Sequence, residues 1–359
     1  MTPPLSDIRI IADDLTGALD AAAPFAAPGQ PVGLVLPRHP APARPMLTIS
    51  TESRDLPVES AGAATAMACA TLGAVPATAP PLWMKKVDSV LRGHPFAETA
   101  QALQTLGLAR CIFAPAFPAM GRVTQGGYQM VRQGTRWMPT EVSDIVAGFA
   151  SFGILAAREA DDQAADATVI VIDANTQADL DDAVRRWAGV AGVLWAGSRG
   201  LAEAMAGPVI ALPPPQLAFV VIGTTHPATR AQVTAAWSRL DRAPDAGPIR
   251  AAAKRCLLID PVPVSATAAA TRQALHDCTL RLDVGAMAGR GLFVAGGDTL
   301  SVLLDAAMAS SLDCLGEVSA GLPLSIIRGG ALDGIPLVSK SGGFGDHALI
   351  ARMVAATTC

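Results

Sequence analysis

The chain lacks the features that would place it in a membrane, on nucleic acid or outside the cell. No apolar run reaches the ~18 residues needed to span a bilayer. The N-terminus "MTPPLSDIRI" has no basic region followed by an apolar core, so no secretory signal is expected. Cys69, Cys111, Cys256, Cys278, Cys314 and Cys359 are scattered without C-x-x-C spacing, which predicts buried free thiols and a cytoplasmic location. The histidines, at positions 39, 94, 226, 276 and 347, form no zinc-type cluster. Charged residues are only 16% of the sequence, the net charge is −4, and there is no basic run, which argues against a nucleic-acid partner. Aromatics are only 4%, and alanine supplies much of the 51% hydrophobic content, a balance that suits small-residue helices packed tightly on sheets. No G-x-x-x-x-G-K-[ST] occurs, so there is no P-loop. No well-placed G-x-G-x-x-G occurs either, which weakens a dinucleotide reading.

What is present is a rhythm of short β-rich apolar runs and longer alanine- and leucine-rich ones. Strands are expected near Arg9–Ala12, Met46–Ser50, Leu82–Val87, Cys111–Ala114, Thr168–Ile172 and Val193–Ala196. A helix is expected over Thr176–Trp187. The rhythm restarts with strands near Leu217–Ile222, Cys256–Asp260, Gly291–Ala295, Ser325–Arg328 and Pro336–Ser339. Continuous apolar runs suit strands buried on both faces, and strand–helix alternation reads as parallel α/β sheets. With 359 residues there is room for about two domains. Three consecutive prolines in "ALPPPQLAFVV" cannot continue a helix and stiffen a connection, so a boundary is expected there. The expected fold class is α/β, with domains at 1–212 and 217–359. Each is a mostly parallel sheet flanked by helices, with a ligand cleft between them.

In open parallel sheets ligands bind beyond the carboxyl ends of the strands, and the unusual polar residues fall there. Asp13 and Asp14 are adjacent at the end of the first strand. One can cap the following helix; the other is free to face a hydroxyl or take a proton. "STESRDL" places Arg54 after the second strand, able to fork onto a carboxylate. "KKVDSVLRGH" crowds Lys85, Lys86, Asp88, Ser89 and Arg92 into one connection, a dense set for a small polyhydroxylated acid. "APAFPAMGRVTQGGY" is expected to be a shaped loop carrying Arg122, Thr124 and Gln125.

The second half repeats one plan three times. "VVIGTTHPATRAQV" runs from a strand through Gly223, Thr224, Thr225 and His226 into a helix opened by Pro227, a phosphate-type turn. A single histidine there is more often a cap or a packed residue than a ligand. Gly296 and Gly297 let the backbone approach a ligand, and Asp298-Thr299 open a helix. Lys340, Ser341, Gly342 and Gly343 follow the last strand. Three such turns in one domain suggest a nucleotide cradle.

These motifs together resemble the four-carbon acid sugar kinase family. "IADDLTGALDAA", "KKVDSVLRGH", "APAFPAMGR", "AGGDT" and "SKSGGFG" occur in the family's order, over nearly the whole length. The resemblance implies an N-terminal sugar-acid domain and a C-terminal nucleotide domain. It implies ATP-dependent phosphorylation, with Mg²⁺, of threonate, erythronate or a 3-oxo-tetronate at its terminal hydroxyl. By motif position it assigns Asp13 and Asp14 to catalysis. Arg54, Lys86, Asp88, Ser89 and Arg92 fall to the substrate, and Thr224, His226, Gly296, Gly297, Asp298, Thr299, Gly342 and Gly343 to the nucleotide. It assigns no protein ligand to the metal. The expected partner is a small sugar acid, with no nucleic acid and no membrane; a homo-oligomer is left open. Where the family has a turn like G-S-C-S this chain has Gly223-Thr224-Thr225-His226, so a second reading is a sugar-acid-binding protein without catalysis.

Overall fold

The computed structural model describes residues 7–37, 39–252, 255–261, 267–287 and 289–356. It divides the chain into two compact units, Met1–Phe25 with Pro40–Val209, and Ala26–His39 with Ile210–Cys359. The division differs from the expected 1–212 and 217–359 in two places: the break falls after Val209, and Ala26–His39 joins the second unit. The reason for the second is a strand pairing described below.

The first unit opens with β1 (Ile8–Ala12) and α1 (Leu15–Ala22). After the chain has passed through β2 (Val32–Val35) of the second unit, it returns as β3 (Met46–Ser50), α2 (Val58–Gly73), β4 (Leu82–Lys86), α3 (Pro95–Leu106) and β5 (Arg110–Ala114). An antiparallel meander follows, β6 (Arg122–Gln125), β7 (Tyr128–Gln133) and β8 (Arg136–Asp144). The unit closes with α4 (Ile145–Ala150), β9 (Ala156–Arg158), β10 (Val169–Val171), α5 (Gln177–Trp187), β11 (Val193–Gly197) and α6 (Arg199–Ala206). Its parallel sheet runs β3-β1-β4-β11-β5-β10-β9. Strand ends are level: Ala12 lies opposite both Ser50 and Lys86, and Gly197 opposite both Lys86 and Ala114. The loops after β1, β3, β4, β5 and β11 therefore all leave from one edge. The expected helix Thr176–Trp187 is α5, with Thr176 and Asp179 closing a capping box in front of it.

The second unit contains β12 (Leu217–Ile222), α7 (Pro227–Ala236), β13 (Leu240–Arg242), β14 (Ile249–Arg250), β15 (Cys256–Ile259), α8 (Ala268–Leu280) and β16 (Leu282–Asp283). It continues with β17 (Gly291–Ala295), α9 (Gly297–Ala306), β18 (Ser311–Ser319), β19 (Leu322–Arg328), β20 (Pro336–Lys340) and α10 (Leu349–Ala355). Strands β13-β15-β12-β17-β20 are parallel, and β19, β18 and β2 extend the order antiparallel. Ser311–Cys314 pair with Val35–Val32, which is why Ala26–His39 belongs to this unit. Ile222 lies opposite Ala295, and Ala295 opposite Lys340, so three connections again leave from one level.

Both sheets are held by the burial the apolar runs predict. All six residues of β12 are buried, Leu217 through Ile222, consistent with cover on both faces. Each Val, Leu, Ile or Phe so buried contributes roughly 1.5–3 kcal/mol. In the first unit Phe96 of α3 and Phe149 of α4 pack on Phe113 of β5, with edge-on ring centroids 5.0 Å apart for Phe96–Phe149 and Phe113–Phe149. Cys69, Cys111, Cys256 and Cys314 are buried free thiols and Cys278 is half-buried; Cys359 lies outside the described residues. No helix among the described residues is long and apolar enough to cross a membrane.

One buried ion pair ties the sheet to a helix. Lys85 of β4 and Glu98 of α3 are both fully buried, with Nζ and Oε2 2.6 Å apart, and the Ser53 hydroxyl donates to Glu98 Oε1 at 2.5 Å. Glu98→Ala strands the Lys85 ammonium without its counter-charge. The expected loss is about 3–5 kcal/mol of stability, read as a lower urea midpoint, and joint replacement of both residues by Leu and Met should recover most of it. Equal midpoints for Glu98→Ala and wild type would contradict this.

Candidate active site

The first set of polar residues assembles where the level strands of the first unit end. Asp14 caps α1 with extended backbone (φ −142°, ψ 157°), its Oδ1 accepting from the Gly17 N–H at 3.1 Å and its Oδ2 from the Thr16 hydroxyl at 2.8 Å. Glycine is required at 17, because a Cβ there would lie 2.2 Å from Asp14 Oδ1. Arg54, on the loop after β3, grips both aspartates. Its Nε donates to Asp13 Oδ2 at 2.7 Å, and its Nη2 donates to Asp13 Oδ1 at 3.0 Å and Asp14 Oδ1 at 2.7 Å. The fork that was expected to meet a ligand is thus closed on the chain's own carboxylates. Of the three guanidinium nitrogens of Arg54, Nη1 alone makes no hydrogen bond among the described residues.

The loop after β4 is organised by Asp88. Its Oδ1 accepts from the Val90 N–H at 2.9 Å and the Arg92 N–H at 3.3 Å, while Arg92 Nη2 donates to Oδ2 at 2.6 Å. Leu91 inside this turn is held at φ 63°, a left-handed conformation that costs a non-glycine residue roughly 1–2 kcal/mol. Arg54 Nη2 also stands 3.9 Å from Asp88 Oδ2. Arg122, at the start of β6, donates from Nη1 to the Ser89 hydroxyl at 2.6 Å. Gln129 of β7 donates to the Ser89 carbonyl at 2.7 Å and accepts from the Thr124 hydroxyl at 2.7 Å.

Charge around these loops is unevenly satisfied. Burial pushes the Asp13 carboxyl up, but Arg54, with Lys85 and Lys86, overrides it and holds the group below its ordinary value. Asp88 is likewise held low against burial, by Arg92, Arg54 and Lys86. Burial disfavours the Arg54 cation, yet Asp13, Asp14 and Asp88 bind its proton more firmly than usual. Lys86 is different. Its side chain is buried, and among the described residues its ammonium has neither a hydrogen bond nor an ion-pair partner. Arg122 also has no carboxylate partner there, its Nε is buried without an acceptor, and burial lowers its pKa.

The second set gathers at the level ends of β12, β17 and β20. Thr224 Oγ1 accepts from the His226 N–H at 3.1 Å, and His226 caps α7, its Nδ1 accepting from the Ala228 N–H at 3.2 Å. In the neutral ring the proton then sits on Nε2. Gly296 has φ +104°, and a Cβ there would stand 3.1 Å from Thr299 Oγ1 and 3.4 Å from Thr224 Cβ. The Cβ position of Gly342 lies 3.1 Å from Thr224 Oγ1, and that of Gly343 lies 3.1 Å from His226 Nε2. Thr224, His226, Gly296, Thr299, Gly342 and Gly343 are therefore neighbours, although Thr224 and Gly343 are 119 residues apart in the sequence. No side chain caps α9 (Gly297–Ala306), so its first N–H groups are free for an anion, and Asp298 is exposed in its first turn. Among the described residues no three His, Cys, Asp or Glu side chains cluster as a metal site.

Some expectations go elsewhere. The shaped loop is a 3₁₀ turn at Pro118–Met120 followed by a hairpin, and Gly126-Gly127 between paired Gln125 and Tyr128 was the readable signal for it. Gln125 bonds Asn175 rather than the site. Sequence reasoning gave no role to Glu98 or Gln129, whose partners lie on other elements and leave no local trace. Lys340 was noticed only as part of its turn; a lysine closing a buried strand just before Gly-Gly was the available sign.

Residues 8–146 match the model of a sugar-binding N-terminal domain, and residues 250–350 that of a nucleotide-binding C-terminal domain. A protein of Bordetella bronchiseptica named D-threonate kinase is 30% identical over 96% of this chain and 96% of its own length. A Heliobacterium modesticaldum protein named D-erythronate kinase is 35% identical over 39% of this chain and 32% of its own length. A solved Haemophilus influenzae protein, 17% identical, shares the fold with a TM-score of 0.69, covering 98% of this chain and 99% of that one. Fold, domains and relatives together define a sugar-acid kinase. The chain belongs to the four-carbon acid sugar kinase family.

Removing the Arg54 grip should invert one pH dependence. In wild type Asp13 is held below its ordinary value, so its contribution is intact from neutral pH downward and is lost only as pH falls through that depressed value. In Arg54→Ala, burial dominates and Asp13 titrates above the unfolded carboxylate. Stability is then fullest at acid pH and declines as pH rises. Urea midpoints at pH 5 and 7 should be nearly equal for wild type and higher at pH 5 for the variant; parallel behaviour would contradict the assignment.

Proposed function

We propose that the chain is an ATP-dependent kinase that phosphorylates a four-carbon sugar acid, D-threonate, at its terminal hydroxyl. The observation that carries this reading is a buried lysine, Lys86, whose ammonium makes no hydrogen bond or ion pair of its own among the described residues, at the strand ends where Asp13, Asp14 and Asp88 meet. Those carboxylates already hydrogen-bond Arg54 and Arg92, so the Lys86 donors are open to a hydroxylated carboxylate. The names of full-length relatives, D-threonate kinase in both Bordetella bronchiseptica and Cupriavidus necator, support the choice of acid.

In this mechanism Lys86 takes the substrate carboxylate, with Arg92 and Arg122 beside it. Asp88 and Ser89 read hydroxyls along the chain. Both Asp13 oxygens are committed to Arg54, so Asp13 anchors that arginine. Asp14 is more open: its side chain is 21% accessible against 4% for Asp13, and its Oδ2 receives only the Thr16 hydroxyl. Asp14 orients the acceptor hydroxyl and receives its proton late. Phosphoryl transfer is mostly positioning and charge stabilisation, so no strong base is needed. The N–H groups of Gly297 and its neighbours, the Thr224 hydroxyl and the Gly342-Gly343 turn hold the phosphates. Asp298, exposed in the first turn of α9, would be the carboxylate available to a Mg²⁺ entering with the nucleotide, which needs only one or two carboxylates besides the phosphates and would supply charge neutralisation there.

A coupled ADP-release assay across threonates, erythronates and 3-oxo-tetronates should give the highest kcat/KM with D-threonate. Asp14→Asn should lower kcat roughly 10²–10⁴-fold. Turnover of none of these acids, or wild-type kinetics in both Asp14→Asn and Asp13→Asn, would overturn the proposal. A thermal shift with tetronate but none with ATP–Mg²⁺ would point instead to a non-catalytic sugar-acid sensor.

A further inference from the structure

Lys340 closes β20 and is 1% exposed. Its donors point at the turn that follows and at the neighbouring helix α7. Nζ donates to the Thr229 hydroxyl at 2.8 Å, to the Ser341 carbonyl at 2.9 Å and to the Gly342 carbonyl at 3.3 Å. Thr229, from α7, in turn donates its hydroxyl to the Gly342 carbonyl at 2.6 Å. The Lys340 carbonyl accepts from the Gly296 N–H at 2.9 Å, which ties the same residue to the start of the α9 connection. Lys340 and Thr229 together therefore fix the start of the Gly342-Gly343 turn against α7, Gln232 of α7 holds the Phe344, Gly345 and Asp346 carbonyls that follow, and the Lys340 backbone joins the turn to the Gly296 one.

The charge on Lys340 has no obvious structural purpose. The titratable or charged groups on the neighbouring elements are His226, which caps α7, Arg230 of α7, Asp298 and Asp305 of α9, Arg328 of β19, Asp346 and His347 of the following turn, and Arg352 of α10. None is within ion-pair distance; Arg230 is committed to Asp260 and Asp346 to Arg352. Burying a cation without a counter-charge is costly, and a methionine would fill the same space more cheaply. An anion held by the turn would supply the missing charge.

On the kinase reading above, we infer that Lys340 is a positioning residue for nucleotide phosphates, shaping the Gly342-Gly343 turn and placing positive charge beneath it. It contacts the turn rather than the nucleotide, so its effect is transmitted through loop geometry and field. Burial lowers its pKa to about 8. The charge is then present at neutral pH and lost as pH rises through about 8, and a neutral amine can no longer donate to all three oxygens.

Calorimetric titration of the full chain with ATP–Mg²⁺, adenosine and D-threonate tests this. Lys340→Met should bind ATP at least about ten-fold more weakly at pH 7.5, with adenosine and D-threonate affinities unchanged. Wild-type ATP affinity should fall between pH 7.5 and 9, and that fall should vanish in Lys340→Met. Thr229→Val, which keeps the charge and removes the hydroxyl relay, should weaken ATP less and retain the pH dependence. Unchanged ATP affinity in Lys340→Met, an equal loss for adenosine, or the same pH slope in both proteins would overturn the inference while leaving the kinase reading standing. A wild-type chain that binds no nucleotide would bring down both.

Discussion

The arrangement of the front half depends on one interaction, the grip of Arg54 on Asp13 and Asp14. Two adjacent carboxylates at a strand end repel each other, and burying them makes the repulsion worse. A single guanidinium offers a planar set of donors to both and keeps them charged. Its position is set by strand register, because Ser50 lies level with Ala12. With Arg54 committed to Asp13 and Asp14, and Arg92 to Asp88, Lys86 is left as a buried cation with no hydrogen bond or ion pair of its own among the described residues. On the proposed reading its donors are the ones that meet the ligand.

The back half reaches a similar end by a different route. Its three turns carry few charges and work through backbone N–H groups, small residues and hydroxyls. Thr224, Gly296 and Gly342 stand within contact of one another because Ile222, Ala295 and Lys340 end at one level. Close approach by a bulky anion is possible there because the positions nearest the turns lack side chains. Beside them lies the Lys340 ammonium, buried and turned toward the Ser341 and Gly342 carbonyls. Each half therefore places a buried cation, without an ion pair among the described residues, behind a row of hydrogen-bonding groups.

Much of this was legible in the sequence. The strands Met46–Ser50, Leu217–Ile222 and Gly291–Ala295 were readable to the residue, because short, mostly apolar runs bounded by turn residues favour buried strands over helices at that length. Pairing was not legible. Val32–Val35 joins the second unit through Ser311–Cys314, and no local pattern carries a contact that distant. Strand β18 was hidden by its own polar residues; Asp313 and Glu317 are buried within it, and Asp313 is matched by Arg328 of β19 at 2.7 Å. Arg54 was recognised as a carboxylate fork, but its partner could not be chosen from sequence, since both answers satisfy the same chemistry.

The central claim is that the unpaired Lys86 cation recognises the acid end of the substrate. Calorimetric titration of D-threonate and of the uncharged polyol threitol into wild type and Lys86→Met, without nucleotide, tests it most directly. Wild type should bind D-threonate and discriminate strongly against threitol, and Lys86→Met should lose roughly ten- to a hundred-fold in D-threonate affinity with little change for threitol. Equal D-threonate binding by the two proteins, or equal affinity of wild type for acid and polyol, would contradict it.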